Sequence, residues 1–298
     1  MINGVLNVYK EAGFTSHDVV AKLRGILKQK KIGHTGTLDP DAEGVLPVCL
    51  GNATKLCGML TEKDKTYEAV LLLGQETDTQ DISGKVLSTA PVTVEEEVVL
   101  EKIASFQGSY DQLPPMYSAL KVNGKKLYEL AREGKEVERK TRRVHLYEIK
   151  VPWIRLPEVC LNVTCSSGTY IRTLCHDIGE ALHCHGCMKS LLRTRVSRFT
   201  LEESLRISQI EEAVAKGELG TYLISVDEMF TDCPKAQMKE EGDRLVYNGN
   251  PFERSKAIFS PQEPEEGCNL RVYDSKNEFV GIYRYERGCY RPVKMFLT

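Results

Sequence analysis

Hydrophobic positions follow two periodicities in the first quarter of the chain, and each predicts a different element. In residues 17–28, HDVVAKLRGILK, apolar side chains recur every three or four positions, which predicts an amphipathic helix capped by Thr15 or Ser16. Residues 66–74, TYEAVLLLG, are apolar, rich in β-forming residues and closed by glycine, so they predict a strand. The glycine- and threonine-rich stretch between them, residues 33–55, is expected to form a loop.

The rest of the chain divides into two parts with different patterns. Residues 143–156 and 158–172 alternate and follow each other directly, as neighbouring strands of an antiparallel sheet do. From Thr231 onwards, short strands separated by Asn, Gly and Asp turns predict a small β-barrel without a substantial helix. The predicted fold class is therefore α+β, with a main domain over residues 1–230 and a small all-β domain over residues 231–298. Further helices are predicted over residues 53–65, 95–106, 125–134, 173–182 and 208–219.

The composition is that of an ordinary globular protein. Of the 298 residues, 41% are hydrophobic and 28% are charged, a balance typical of soluble domains. No apolar run approaches the roughly 18 residues that a membrane span requires. The N-terminus also lacks the basic region and apolar core of a secretory signal. We therefore expect a cytoplasmic protein that does not enter a membrane.

Charge is distributed unevenly along the chain, although the net charge is only −2. Residues 121–143 carry nine Lys or Arg against four Glu, and residues 189–198 carry four basic residues and no acidic one. Segregated positive charge suits a protein that presents a basic face to a polyanion such as RNA. Basic runs are equally typical of solvated surface, so charge alone leaves both interpretations open.

The ten cysteines are dispersed, and several lie in apolar runs such as residues 159–165, which favours reduced core residues over disulfides. Residues 175–187, CHDIGEALHCHGC, carry the ligand types of a zinc site. However, Cys175 and His176 diverge by about 100° on a helix, and no second ligand pair follows at zinc-finger spacing. We therefore predict a helix end closed by Gly186 and no metal site.

Asp39, in TGTLDPD, is the first candidate for chemistry. Pro40 disfavours the helical conformation for the residue before it, so Asp39 is expected to be held extended at the end of a turn. Gly33 and Gly36 permit positive φ and the close approach of a large ligand to the backbone. A turn-forming role for Asp39 is the alternative, and no Gly-Lys-Ser/Thr follows that would make this a nucleotide-binding loop.

Arg172 and Tyr67 are further candidates. Arg172 ends a strand pattern two positions after Tyr170, so both side chains are expected on one face. An arginine directed at a buried carboxylate keeps it ionised and oriented, whereas a surface arginine paired with a nearby acid stabilises little. Asp177 is either a partner of Arg172 or a charge on the helix surface. Tyr67, which opens a strand, suits packing in the core or stacking on a base.

Five blocks of the sequence, taken in order and spacing, resemble the TruB family of tRNA pseudouridine synthases. Residues that resemble its C-terminal PUA-like domain follow in NGNPF, GIYRYE and RPVKMF. One departure is visible, since the family has Lys-Pro where this chain reads YKEAG. The five blocks are INGVLNVYKEAGFTSHDVV, GHTGTLDPDAEGVLPVCLGNATK, KTYEAVLLLGQETDTQD, PPMYSALKVNGKKLYELAREG and SSGTYIRTLCHDIGEAL.

The resemblance implies a fold, a reaction and a partner. The fold is a pseudouridine synthase fold, with a mixed, mainly antiparallel sheet flanked by helices, followed by a PUA-like RNA-binding domain. The reaction is the isomerisation of a uridine to pseudouridine in the TΨC arm of tRNA, conventionally at position 55, without cofactor or metal. The expected partner is tRNA, contacted at its TΨC arm and acceptor stem by a monomer that requires no protein partner.

The resemblance also implies roles for individual residues. Asp39 matches the catalytic aspartate, and whether it attacks the base or the sugar stays open. Tyr67 matches the tyrosine that stacks on the uracil, and Arg172 the residue that holds the Asp39 carboxylate. His34 matches the residue that enters the space left by the flipped nucleotide. The remaining expected contacts are Tyr170 and Leu191 in the pocket wall, and Lys55, Lys121 and a basic RNA-binding insertion over residues 113–144 on phosphates.

Two alternatives accompany this interpretation. One is a guide-RNA-dependent relative that works in a ribonucleoprotein, which is disfavoured because that branch carries additional terminal segments. The other is a binding protein that helps tRNA to fold without using its active site, a role that can coexist with catalysis.

Overall fold

The computed structural model of the protein describes residues 1–122, 124–260 and 264–297. The strands before residue 231 are β1 (Gly4–Lys10), β2 (Ile32–His34), β3 (Glu43–Leu50), β4 (Lys65–Leu73), β5 (Gln75–Thr77), β6 (Val86–Thr89), β7 (Gly108–Gln112), β8 (Lys121–Val122), β9 (Lys125–Lys126), β10 (Arg142–Arg155), β11 (Glu158–Cys165), β12 (Gly186–Val196), β13 (Phe199–Thr200) and β14 (Leu223–Ile224). The helices of this part are α1 (Ser16–Leu27), α2 (Cys57–Thr61), α3 (Glu96–Ala104), α4 (Leu127–Arg132), α5 (Ile171–Ala181) and α6 (Ile207–Lys216).

One large sheet organises this part of the chain. Its strands follow the order β14-β1-β3-β12-β4-β11-β10-β7, with β2 added to β3 and β13 added to β12. The pair β3–β12 is parallel, whereas the other neighbouring strands pair antiparallel. The predicted α+β class with a mixed, mainly antiparallel sheet is confirmed.

The amphipathic helices cover this sheet with their apolar sides. The helix predicted over residues 17–28 is α1, which buries Val19, Leu23 and Leu27 against β1 and β3. Thr15 caps it and forms a reciprocal capping box with Asp18, which satisfies backbone donors of the first turn. The helices predicted over residues 95–106, 173–182 and 208–219 correspond to α3, α5 and α6, and the helix near 125–134 shortens to α4.

The loop predicted over residues 33–55 is wrong for most of its length. Its middle forms β3, a central strand between β1 and β12, in which every residue from Gly44 to Leu50 is buried. A strand covered on both faces lacks the alternation of apolar and polar residues that marks a half-exposed strand. Only the segment between His34 and Glu43 remains irregular.

The strand predicted over residues 158–172 is also too long. β11 ends at Cys165, and a turn through Gly168, whose φ is +80°, leads directly into α5. Tyr170 is therefore the N-cap residue of α5, and Arg172 lies in its first turn. The two side chains do not share a strand face, because the left-handed glycine ends the strand before them.

The C-terminal part confirms the prediction of short strands. It contains β15 (Lys235–Met238), β16 (Ala257–Ser260), β17 (Asn269–Tyr273), β18 (Phe279–Glu286) and β19 (Cys289–Met295), with the one-turn helix α7 (Asp243–Tyr247) that the sequence pattern did not predict. These strands form a sheet of order β16-β15-β17-β18-β19 around a core that includes Leu270, Tyr283 and Tyr290.

The two sheets share an apolar junction. Ile282 and Phe296 from the C-terminal part pack in one cluster with Val5, Phe199 and Val226 from the main part. Hydrogen bonds reinforce the contact, since Asn52 Nδ2 donates to the carbonyl of Phe296 at 2.7 Å. The boundary between residues 230 and 231 stays a prediction.

All ten cysteines are free, and six of them are buried, so these six act as small apolar residues of the core. Among the helices that the structure describes, none is long and apolar enough to cross a membrane.

Candidate active site

The irregular segment after β2 presents Asp39 on a fixed backbone. Leu38 is buried, and its N–H donates to the hydroxyl of Ser16 at 3.0 Å. The carbonyl of Asp39 accepts from the N–H of Ala42 at 3.1 Å, which closes a turn around Pro40. The side chain of Asp39 is 41% exposed, so the carboxylate lies at an open surface while its backbone is held from both sides.

Gly36, in this segment, and Gly33, just before it, are required for different reasons. Gly36 adopts φ +118°, as the sequence predicts, and a side chain there would be strained. Gly33 is not in the left-handed region. It belongs to β2, and a Cβ added to it would lie 3.0 Å from the sulfur of Cys57. Gly33 therefore permits close packing inside the protein rather than a special backbone angle.

Arg172 contacts the Asp39 carboxylate with two nitrogens. Its Nε lies 3.0 Å from Oδ2, and its Nη2 donates to Oδ1 at 3.4 Å. The arginine side chain is only 7% exposed, so solvent screens this ion pair little on its side. Loss of solvent raises the pKa of Asp39, and the charge of Arg172 opposes this rise. The structure thus brings together two residues separated by 133 positions.

Arg172 is itself held by two other segments. Its Nη1 donates to the carbonyl of Thr79 at 2.9 Å, and its Nη2 donates to the carbonyl of Tyr117 at 2.8 Å. Asp81 adds a second carboxylate 3.6 Å from Nη1. Sequence reasoning did not select Asp81, although it lies in the block KTYEAVLLLGQETDTQD that carries Tyr67. These contacts orient the guanidinium towards Asp39.

Tyr67 lies on β4 with 8% exposure, opposite Arg193 on the neighbouring strand β12. Burial raises the pKa of Tyr67 to about 12, so the phenol stays protonated at neutral pH. Arg193 is completely buried and donates to the carbonyls of Val45 at 2.7 Å and Gly36 at 3.3 Å. It therefore ties the Asp39 segment to β3.

Arg193 and Lys10 are functional candidates that sequence reasoning missed. Arg193 was counted within the basic run 189–198, yet it contributes nothing to a basic surface because it is buried. Lys10 is also buried, and its ammonium donates to the carbonyls of Pro40 at 2.9 Å and of Ala42. Burial lowers the pKa of Lys10 to about 8, while the nearby Asp39 opposes this shift. The sequence feature that could have indicated Lys10 is its position in YKEAG, where the TruB family has Lys-Pro.

His34, Tyr170 and Leu191 belong to β2, the N-cap of α5 and β12, respectively. His34 ends β2 with its Nδ1 buried and, among the described residues, without a hydrogen-bond partner. Burial lowers the pKa of His34, and the ring of His17 lies 5.8 Å away in an edge-to-face arrangement. Leu191 is half-buried on β12 and packs against the core cluster that contains Tyr67.

The lysines predicted to bind phosphates are not in this centre. Lys55 donates to the carbonyl of Met295 at 2.9 Å, so it stabilises the junction with the C-terminal strand. Lys121 is exposed on β8, in the hairpin that precedes α4. Part of the positive charge in this region is paired locally, because Lys125 and Lys135 both form ion pairs with Glu133.

Asp177 does not contact Arg172, and it is not a simple surface charge. It is half-buried in α5, close to the hydroxyl of Tyr110 on β7. Burial raises the pKa of Asp177 to about 6. Asp177 is therefore neither a partner of Arg172 nor a charge on the helix surface. It lies between α5 and the edge of the sheet.

The end of α5 differs in detail from the prediction. The helix ends at Ala181, and left-handed backbone occurs at His183 and His185 instead of at Gly186. Gly186 begins β12, where a Cβ would lie 2.8 Å from the carbonyl of Cys175. The glycine is therefore required for close packing of α5 on β12.

One group of side chains has the composition of a metal site. The ligand atoms of Glu76, Glu180 and His185 lie within 4.8 Å of one another, a set that excludes both Asp39 and Arg172. Nδ1 of His185 lies 2.6 Å from Glu180 and 3.9 Å from Glu76, so an imidazole–carboxylate pair accounts for their convergence. The absence of a catalytic metal stays a prediction.

Comparison with known proteins assigns the family. Residues 24–171 match the model of the TruB family pseudouridylate synthase N-terminal domain, and residues 172–231 match that of the tRNA pseudouridylate synthase B C-terminal domain. A protein of Lachnoclostridium phytofermentans named tRNA pseudouridine synthase B is 57% identical to this chain, over 99% of the chain and 100% of the relative. The relative from Clostridium kluyveri shares 42% identity over 99% of this chain and 100% of its own length. The chain belongs to the TruB family of pseudouridylate synthases.

Solved structures confirm the fold of this TruB-family member. A chain from a Cbf5-Nop10-Gar1 complex is 26% identical, with a TM-score of 0.73 over 99% of this chain and 85% of its own length. A chain from an H/ACA ribonucleoprotein bound to a substrate RNA containing 2′-deoxyuridine has the same TM-score and coverage at 24% identity. The protein therefore has a pseudouridine synthase fold, and it is an isomerase.

Proposed function

We propose that this protein isomerises the TΨC-loop uridine at conventional position 55 of tRNA to pseudouridine, with Asp39 as the catalytic carboxylate. The observation that supports this most is the contact of Arg172 with both oxygens of Asp39, at 3.0 and 3.4 Å. The relatives that match nearly the full chain are named tRNA pseudouridine synthase B, which supports tRNA as the substrate.

The reaction is an internal exchange of bonds. The bond from the ribose C1′ to N1 of uracil breaks, the base turns, and C1′ bonds to C5. The C5 proton leaves and N1 gains a proton, so the product has the atoms of the substrate. An ionised carboxylate is required for nucleophilic catalysis. Arg172 and Lys10 provide the positive charge that favours ionised Asp39.

The target base is stacked in a folded RNA and has to be extruded, which costs a few kcal/mol. Tyr67 supplies an aromatic side chain for stacking on the uracil, and Tyr170 and Leu191 wall the pocket. His34, whose Nδ1 has no hydrogen-bond partner within the described part of the chain, enters the space that the nucleotide leaves. In this proposal the base is bound by aromatic and apolar contacts, while Asp39 alone supplies the nucleophile.

The RNA backbone is bound by positive charge outside the pocket. Lys121 and the basic segment 113–144 contact phosphates of the TΨC arm. Lys55 contributes from the junction with the C-terminal sheet, whose place beside the main sheet suits a contact with the acceptor stem. We propose that the chain acts in the cytoplasm as a monomer that needs no protein partner, cofactor or guide RNA.

The test uses an unmodified tRNA transcript with tritium at C5 of its uridines and purified protein without added RNA. Each isomerisation releases one tritium from C5, so we expect release of one tritium per tRNA. A matched transcript with cytidine at position 55 should release none. Equal release from both transcripts would contradict the assigned position. No release from the first would contradict a catalyst that acts without guide RNA.

A further inference from the structure

The side chain of Gln112 connects the last residue of β7 to the turn that carries Arg172. Gln112 is 1% exposed. Its Oε1 accepts from the N–H of Tyr170 at 2.8 Å, and its Nε2 donates to the carbonyl of the same residue at 3.0 Å. Nε2 also donates to the hydroxyl of Tyr110 at 2.5 Å. One planar amide therefore satisfies both backbone groups of Tyr170, which only a side chain with a donor and an acceptor can do.

This contact bears on Arg172 because Tyr170 is the N-cap residue of α5, two positions before it. The chain that leaves Gln112 returns to the same turn almost at once. The carbonyl of Tyr117 accepts from Arg172 at 2.8 Å. The start of the basic segment 113–144 is thus held to the α5 turn by Gln112, which precedes it, and by the carbonyl of Tyr117 within it.

We propose that Gln112 is a positioning residue, whose amide keeps Arg172 oriented on Asp39 and fastens the first residues of the basic segment to the same turn. It acts through Tyr170 and not by contact with the reacting atoms. Its effect on catalysis rests on the function proposed above, whereas its effect on the Arg172–Asp39 pair does not.

The substitution Gln112→Glu separates this role from a general effect on folding. An ionised glutamate keeps the acceptor for the Tyr170 N–H, but it sets a second oxygen against the Tyr170 carbonyl. Protonation restores a donor at that oxygen, and burial raises the pKa of such a carboxyl, so the donor returns as the pH falls. Gln112→Met has a similar length and offers neither group at any pH.

We expect kcat of Gln112→Glu to be roughly 10- to 100-fold below that of the wild type at pH 8, since small displacements at an active site cost this much. The ratio to the wild type should recover as the pH is lowered to 6. Gln112→Met should show a comparable loss that does not depend on pH. Ratios taken at each pH cancel the titration of groups that the proteins share.

A second measurement is independent of catalysis. The charge of Arg172 lowers the pKa of Asp39. Carbon NMR of the enzyme labelled at the aspartate carboxyls, with Asp39→Asn for assignment, should therefore show a higher Asp39 pKa in Gln112→Met than in the wild type. The matched control is Gln209→Glu on α6, where the side-chain oxygen accepts from the N–H of Arg206 at 2.8 Å and a glutamate can do the same. This control should change neither kcat nor the Asp39 pKa.

An Asp39 pKa that is the same in Gln112→Met and the wild type would overturn the inference. A pH-independent kcat ratio for Gln112→Glu would also overturn it. If the wild type releases no tritium from tRNA while the Asp39 pKa rises in Gln112→Met, the positioning of Arg172 stands and the proposed function fails. The two failures are therefore distinguishable.

Discussion

The proposed role of Asp39 requires an ionised carboxylate in surroundings that partly remove its solvent. Loss of solvent raises the pKa of its carboxyl, while the guanidinium of Arg172 and the ammonium of Lys10 oppose this rise. Arg172 can do so because carbonyls of two other segments fix its guanidinium. A charged partner that is already oriented costs little reorganisation during a reaction, which suits a nucleophilic carboxylate.

The first prediction concerns this carboxylate. Asp39→Asn keeps the shape of the side chain but removes the charge and the nucleophile, so we expect kcat to fall by a factor of about 10⁴ or more. Tritium release measures kcat, and filter binding should show tRNA affinity within a few-fold of the wild type. The control is Asp41→Asn, at an exposed residue in the same segment, which should retain activity. Pseudouridine formation by Asp39→Asn would remove Asp39 from the nucleophile role.

Lys10 and Arg193 show what could not be predicted at the residue scale. Both are basic residues, a type that is mostly exposed in proteins, yet both are buried. A buried cation is stabilised by carbonyl groups that surround it, and these come from distant parts of the chain, as with Arg193 and Val45, 148 positions apart. Asp39, Tyr67 and Arg172 received their proposed roles because their sequence blocks resemble a family, and no periodicity indicates such roles.

At the scale of elements, the sequence pattern predicted those elements that bury one face and expose the other. The helices α1, α3, α5 and α6 each bury one side, so their apolar residues recur with a helical period. β3 is buried on both faces and shows no period, and the end of β11 depends on one left-handed glycine, Gly168. Pattern alone therefore predicted the covering helices and missed the strand on which the Asp39 segment is built.

The second prediction concerns the contact between α5 and β7. Burial raises the pKa of Asp177 to about 6, from an ordinary value of 3.8. The folded protein thus binds this proton more tightly than the unfolded chain, so stability falls as the pH rises through this interval. Asp177→Asn removes the titration and keeps a polar side chain beside Tyr110. We expect the free energy of unfolding of Asp177→Asn, relative to that of the wild type, to rise by about 1–3 kcal/mol between pH 4 and pH 7.

Urea unfolding at pH 4, 5, 6 and 7 measures this gain. Asp111→Asn is the control, because Asp111 is an exposed carboxylate on β7 that pairs with Arg143. Its stability relative to the wild type should vary by less than about 0.5 kcal/mol over the same range. A constant difference between Asp177→Asn and the wild type across these pH values would show that Asp177 does not cause the dependence.

The third prediction concerns the hairpin and the strand that border α4. Replacing Lys125, Lys126 and Arg142 with Gln removes three positive charges from the basic segment. If each charge contacts one phosphate, the slope of log K against log salt should flatten by up to about 3, with weaker tRNA binding at every salt concentration. Binding titrations from 50 to 300 mM salt measure the slope.

A control variant removes the same number of charges elsewhere. Lys150, Lys189 and Lys216 are exposed on β10, β12 and α6, and their joint replacement with Gln should leave the slope near that of the wild type. Equal slopes for the two triple variants would mean that the basic segment is solvated surface. The ion pairs of Lys125 with Glu133 already reduce the free charge, which limits the expected change.

At the scale of the whole molecule, one sheet assembles the candidate site from distant segments. β2 and β3 flank the segment of Asp39, β4 carries Tyr67, and α5 packs on β12 next to β4. The C-terminal sheet is joined to this assembly through an apolar cluster and not by a chain connection alone. The junction therefore links the stability of the proposed RNA-binding part to that of the main sheet.

The last prediction tests this linkage. Phe296 is 1% exposed and contacts the rings of Phe230 and Phe279 at 5.9 and 5.7 Å in the shared cluster. We expect Phe296→Ala to cost about 3–5 kcal/mol in the free energy of unfolding. Val293→Ala, at an exposed residue of β19, which ends one residue before Phe296, should cost under about 1 kcal/mol. Trp153 in β10 is the single tryptophan, so its fluorescence reports on the main sheet. If the junction couples the two parts, Phe296→Ala shifts the tryptophan and circular dichroism transitions together to lower urea. An unmoved tryptophan transition, with an early loss of circular dichroism, would show that the two sheets unfold independently.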